Sequence, residues 1–129
     1  FIIPNETELS LLTGNETNDA ALTETAARML LARGSKTVVV TLGSNGALLV
    51  NTETSTHVDT YPVKVVDTTA AGDAFIGGFA VSLLQNKSLE ESVRFGCACG
   101  ALAVTKFGAQ PSLPTREDVD TFLGKFSNL

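Results

Sequence analysis

Val65-Val66-Asp67-Thr68-Thr69-Ala70-Ala71-Gly72-Asp73-Ala74-Phe75-Ile76-Gly77-Gly78-Phe79 is the stretch on which the reading of this chain turns. The β-branched residues Val63, Val65 and Val66 read as a buried strand; the side chains then shrink to Ala70, Ala71 and Gly72, and a helical pattern opens at Asp73. A strand, a tight turn and a helix N-terminus follow one another. The first turn of a helix leaves backbone N–H groups unpaired and carries the positive end of the macrodipole, so small residues there let an anion come close to the backbone. Asp73 has two readings. It is a helix cap, as carboxylates often are, or it is placed to take the proton from a hydroxyl attacking a phosphate.

Outward from this stretch, the rest of the chain reads as one domain of 129 residues, 43% of them apolar. Its start at Phe1-Ile2-Ile3, inside an apolar run and without Met, predicts a fragment of a longer chain. The formal charge of -5 and pI near 4.7 argue against a sequence-independent hold on nucleic acid or an anionic membrane, because both need clustered Lys and Arg. Cys97 and Cys99 lie two apart in a helical pattern, where their side chains diverge; reduced, buried thiols and a cytosolic setting are expected. No apolar run approaches the roughly 20 residues of a membrane helix.

Toward the N-terminus, Phe1 to Ile3 reads as a short strand stopped by Pro4, followed by a helix from Asn5 to about Thr13-Gly14. Asn5 and Glu8 have the spacing of a capping box. They would equally serve a phosphate-bound Mg²⁺ through water, since that ion keeps much of its shell and takes few protein carboxylates. Leu22, Ala26, Met29 and Leu30 repeat at helical spacing up to Gly34, and Thr37 to Leu42 follows as a buried strand. A strand-helix-strand crossover implies a parallel sheet. Gly43-Ser44-Asn45-Gly46 reads as a hairpin turn, or as a glycine-lined wall against which a flat nucleotide lies. The lone His57, with no Cys or second His nearby, is read as structural and given no role.

Toward the C-terminus, the helix from Asp73 to about Gln85 contains Gly77-Gly78, which predicts something packed closely against it. Ser88 to Glu91 is a capping box for a helix whose narrow face carries Gly96, Cys97, Gly100 and Ala103. Lys106 to Ser112 reads as a loop, and Thr115 caps a last helix with Val119, Phe122, Leu123 and Phe126 on its apolar face. In an open α/β sheet, ligands bind beyond the carboxyl ends of parallel strands, so Asn5, Gly43 and Asp67 to Asp73 are expected on one rim.

Four segments in register resemble the ribokinase, or PfkB-type, family of carbohydrate kinases: Pro4-Asn5-Glu6-Thr7-Glu8, Thr41-Leu42-Gly43-Ser44-Asn45-Gly46, Asp67-Thr68-Thr69-Ala70-Ala71-Gly72-Asp73 and Gly108-Ala109-Gln110-Pro111-Ser112. The resemblance implies an α/β, three-layer, parallel-sheet ribokinase-like fold. Residues 1–129 would be its nucleotide-binding C-terminal part, inactive alone; the N-terminal part with the sugar contacts, the lid and the usual dimer interface is missing. It further implies ATP-dependent phosphorylation of a sugar hydroxyl, D-ribose before fructose, 2-keto-3-deoxygluconate or a nucleoside. A nucleotide-binding module without catalysis is the reading from another class. By the same resemblance Asp73 is the catalytic base that contacts the substrate, and Ala70, Ala71 and Gly72 form the anion hole. Asn5, Thr41, Leu42, Gly43, Ser44, Asn45, Gly46, Gly72, Asp73 and Cys97 would bind ATP, and Glu8 would support Mg²⁺ through water. A monovalent cation such as K⁺ would sit among Asp67, Thr69, Ala103, Lys106, Gly108 and Ser112. Lys106 can serve it only through its carbonyl, because an ammonium cannot ligate a cation.

Overall fold

The computed structural model describes residues 1–107 and 115–125, and the chain divides into two compact units, residues 1–59 and 60–129. In the first, helix α1 (Glu6–Thr13) and helix α2 (Ala20–Ala32) precede strands β1 (Thr37–Thr41), β2 (Ala47–Asn51) and β3 (Ser55–Val58). Both helices begin where a side chain can accept an orphan amide: Asn5 and Glu8 form the reciprocal capping box, and Asp19 accepts from the Leu22 amide. Gly14 ends α1 in the left-handed conformation at φ 73°.

The three strands form an antiparallel sheet in the order β1-β2-β3, with Val39 opposite Leu49 and Leu48 opposite His57. The parallel pairing expected from the crossover exists at the other edge of β1, as isolated bridges of Ile2 to Val38 and Asn5 to Thr41. On the other side of β1 the hairpin reading of Gly43 to Gly46 holds. The chain turns back at Gly43-Ser44-Asn45-Gly46 after only a few residues, and so short a connection can return a strand only antiparallel. Leu9, Ala26, Ala27, Leu30, Val38, Val40, Leu48 and Val50 make the core of this unit. Val39 points to the opposite face of the sheet and is buried too, which is why Val38-Val39-Val40 is unbroken by a polar residue.

The second unit holds α3 (Ala71–Leu84), α4 (Leu89–Ala103) and α5 (Arg116–Gly124). Helices α3 and α4 meet through absent side chains. A Cβ on Gly78 would lie 2.5 Å from Cys99 Sγ, one on Gly96 3.0 Å from the Phe75 ring, and one on Gly100 3.3 Å from the Ala71 carbonyl. The close neighbour expected for the small residues is therefore another helix. Gly77 is a correction to the same expectation, since a Cβ there meets nothing within 4 Å. A buried bond from the Ser92 hydroxyl to the Ser82 hydroxyl, 3.2 Å, adds a polar pin to the seam. On the far side of α4, Ala98, Ala101, Val119 and Phe122 pack together, and Tyr61 meets the Phe122 ring edge-on at 5.3 Å.

The strand expected at Val63 to Val66 does not form. Val65 and Val66 are 56% and 52% exposed, and no strand lies within this unit among the described residues to pair with them. A β-branched run is only a surface suited to a pleat; without a neighbour its N–H and C=O groups have no ladder to join.

Cys97 and Cys99 are both buried and neither forms a disulfide, as expected. Burial pushes the Cys99 thiol up from 9.0 to about 11, against a smaller downward pull from the Arg116 charge. A raised value favours the neutral thiol in the folded chain, so its contribution to stability is complete below the ordinary thiol range and is lost as pH climbs through about 11. Thermal melts of the wild type should lose stability between pH 9.0 and about 11, and Cys99→Ala should flatten that part of the profile. An unaltered alkaline slope in the variant would show that Cys99 does not govern it.

Candidate functional site

The approach to α3 is built by a loop tied to the end of α4. The Val66 and Asp67 amides both donate to the Val104 carbonyl, at 2.6 and 3.1 Å. Asp67 Oδ1 accepts from the Thr69 amide at 2.9 Å and from the Thr69 hydroxyl, an Asx turn that bends the chain back toward the helix. The same ties bring Asp67 and Thr69 to the segment holding Ala103 and Lys106, four of the six residues expected around a monovalent cation. Gly108 and Ser112 lie outside the described residues.

Helix α3 opens at Ala71, two residues before the expected start, with Ala70 at the cap position, 2% exposed. Asp73 is therefore the third helical residue and not the cap. No side chain caps this helix, whereas Asn5, Asp19, Ser88 and Thr115 cap α1, α2, α4 and α5. One of the amides expected at the anion hole is already engaged within the chain. The Ala71 amide donates to the Thr68 carbonyl at 3.2 Å, because the turn into the helix consumes it. The Gly72 and Asp73 amides have no carbonyl one turn back to bond, and both residues are exposed. That the Asp73 N–H is unpaired was not legible in the sequence, because it depends on where the helix starts. Its carboxylate is exposed and makes no hydrogen bond or ion pair with a described residue.

In the unit of residues 1–59, the expected phosphate and nucleotide residues are brought to one end of β1. Asn5 bridges Thr41, and the Thr41 amide donates to the Pro4 carbonyl at 3.0 Å. Asn5 Oδ1 accepts from the Glu8 amide at 2.8 Å, and Glu8 Oε1 accepts from the Asn5 amide at 2.9 Å. Capping thus occupies the only side-chain oxygen of Asn5 and one of the two on Glu8. The exposed Glu8 keeps its second oxygen, which leaves it able to accept from the water shell of a divalent ion. Beyond Thr41 and Leu42, a turn of 3₁₀ helix at Gly43–Asn45 closes through the Asn45 amide on the Leu42 carbonyl, 3.1 Å, and the Gly46 amide on the Gly43 carbonyl, 3.2 Å. These bonds leave the exposed Gly43 and Ser44 amides without a backbone acceptor.

Cys97 sits on the buried side of α4, 4% exposed. Among the described residues no three His, Cys, Asp or Glu side chains cluster as a metal site, and no helix is long and apolar enough to cross a membrane.

Residues 1–116 match the model of the pfkB family of carbohydrate kinases. The chain belongs to this family. It is 45% identical to the ribokinase of Haemophilus influenzae, over 95% of this chain and 40% of that protein. The solved structure of Arabidopsis thaliana ribokinase with ribose and ATP superimposes with a TM-score of 0.90, at 42% identity, covering 95% of this chain and 40% of that one. Phosphofructokinase-2 of Escherichia coli in complex with potassium matches at a TM-score of 0.85 and 37% identity, over 98% of this chain and 41% of that one. The fold is accordingly ribokinase-like and α/β. The chain spans about 40% of the length of the curated relatives it matches.

Proposed function

We propose that these residues are the nucleotide-binding and phosphoryl-transfer part of an ATP-dependent sugar kinase, with D-ribose as acceptor and D-ribose 5-phosphate as product. The observation that carries this reading is the uncapped start of α3, where the exposed Asp73 carboxylate stands beside the unclaimed Gly72 and Asp73 amides. The acceptor oxygen attacks the γ-phosphorus of ATP, its proton passes to Asp73, and the bond to the β-phosphate oxygen breaks to release ADP. As charge gathers on the transferred group, the Gly72 and Asp73 N–H groups and the positive end of α3 meet it. Fixed dipoles of this kind cost no reorganisation at the moment of transfer.

On this reading Thr41, Leu42, Gly43, Ser44, Asn45 and Gly46 line the nucleotide, and Asn5 faces its phosphates. Cys97 has the weakest support as an adenine contact, because its side chain is buried. Glu8 would hold Mg²⁺ through water, and the carbonyls of Thr69, Ala103 and Lys106 with Asp67 would hold K⁺. Bound there, the cations supply positive charge to the phosphates and to the anion hole. Ribose is favoured by the ribokinases among the relatives and by the Ala-Ala-Gly form of residues 70–72. On this reading the sugar contacts, the lid and a dimer interface would lie outside residues 1–129.

Titration of the chain with Mg-ATP, followed by calorimetry and by amide NMR, tests the nucleotide half. Heat at millimolar nucleotide is expected, with shifts at Gly72, Asp73 and Gly43 to Gly46. No heat and no shifts would overturn the reading.

A further inference from the structure

We propose that His57 is a positioning residue for the nucleotide: from β3 it holds the Asn45 carbonyl and so fixes the tilt of the Asn45–Gly46 peptide. This deepens the reading of Thr41 to Gly46 as a nucleotide wall and rests on it. The sheet supplies the geometry. Because β3 runs antiparallel to β2 with Val58 opposite Ala47, the end of β3 lies beside the start of β2, next to the turn. His57 Nε2 stands 2.6 Å from the Asn45 carbonyl oxygen. A carbonyl only accepts, so Nε2 must carry the proton. The other ring nitrogen, Nδ1, lies 3.4 Å from Asp59 Oδ1.

The bond falls where the turn is least determined. The turn's own hydrogen bonds engage the carbonyls of Leu42, Gly43 and Gly46, and none of them engages that of Asn45. Gly46 has φ 87° and ψ -129°, a conformation in which no Cβ restrains the preceding peptide. His57 removes that freedom from outside the turn. A wall already held in its binding shape loses less entropy when a flat ligand settles on it. The residue has no chemistry with the nucleotide itself.

The test is a comparison of variants in the protein expressed from its whole reading frame. His57→Leu should raise the KM for ATP by about three- to tenfold, the worth of one hydrogen bond, with kcat unchanged. His57→Gln, whose side-chain amide can donate to the same carbonyl, should recover most of the loss. An unchanged KM in His57→Leu overturns the inference. So does a fall in kcat at constant KM, the signature of a smaller folded fraction, or a Gln variant no better than Leu. Amide NMR of the wild type separates this failure from failure of the parent reading. If ATP shifts Gly43 to Gly46 while the variants bind normally, only the role of His57 is lost. If ATP leaves those amides untouched, the wall is elsewhere and both readings fall.

Discussion

Asp73→Asn should reduce the kcat of the whole enzyme by about 10²- to 10⁴-fold, the range a general base contributes, and should leave the affinity for Mg-ATP intact. The asymmetry follows from what the substitution changes. Asn keeps the size of the side chain and the backbone amide proposed for the anion hole, and loses only the capacity to accept a proton while charged. Since Asp73 makes no bond with a described residue and caps nothing, its removal leaves no orphaned partner in the fold. Steady-state rates and ATP calorimetry on the same preparation decide the matter. Equal loss of turnover and of ATP binding would make Asp73 a structural residue and remove the base from the mechanism.

Gly78→Val should be the most destabilising single change in the α3–α4 pair. The added Cβ would lie 2.5 Å from Cys99 Sγ and 3.0 Å from Cys99 Cβ, and two further methyl groups must then find room. Replacing a helical glycine gains up to about 1 kcal/mol of propensity, less for a β-branched residue, whereas overpacking costs about 1–3 kcal/mol and more when backbones must part. The net is a loss, read as a lower urea midpoint. Cys99→Ala in the same chain should restore part of it by removing the sulfur while leaving the Cβ contact. Gly77→Ala is the internal control. Its new methyl group meets nothing within 4 Å, so the propensity gain stands alone and the midpoint should rise. A Gly78→Val chain as stable as the wild type would mean the seam is looser than described.

What the sequence made legible was what short-range chemistry decides. Asn5 with Glu8, Ser88 with Glu91 and Thr115 before the last helix announce caps because donor and acceptor lie three residues apart, and all three caps form. The narrow face of α4 was also readable as a place of close contact, although small residues at helical spacing suit a neighbouring helix and a flat ligand alike. The failures share a different cause. Val63 to Val66 has the composition of a strand, but pairing depends on a partner that composition does not name. The start of α3 was set two residues too late, because Ala70, Ala71 and Gly72 carry no side-chain cap that would mark a helix opening at Ala71. The bond from His57 to Asn45 spans twelve positions and becomes visible only once the register of β2 and β3 is known. Gly77 and Gly78 are identical in sequence and opposite in surroundings; which of two adjacent residues faces the seam is a question of helical phase.

The glycines that let α3 and α4 touch also tie their motions together. With Cys99 seated over Gly78 and the Phe75 ring over Gly96, neither helix can slide or roll past the other without first separating. The amides at the tip of α3 are therefore indexed to the body of α4. Hydrogen exchange deep in the two helices should report a single opening event, and a phosphate arriving at Gly72 would be met by the pair as one stiff lever.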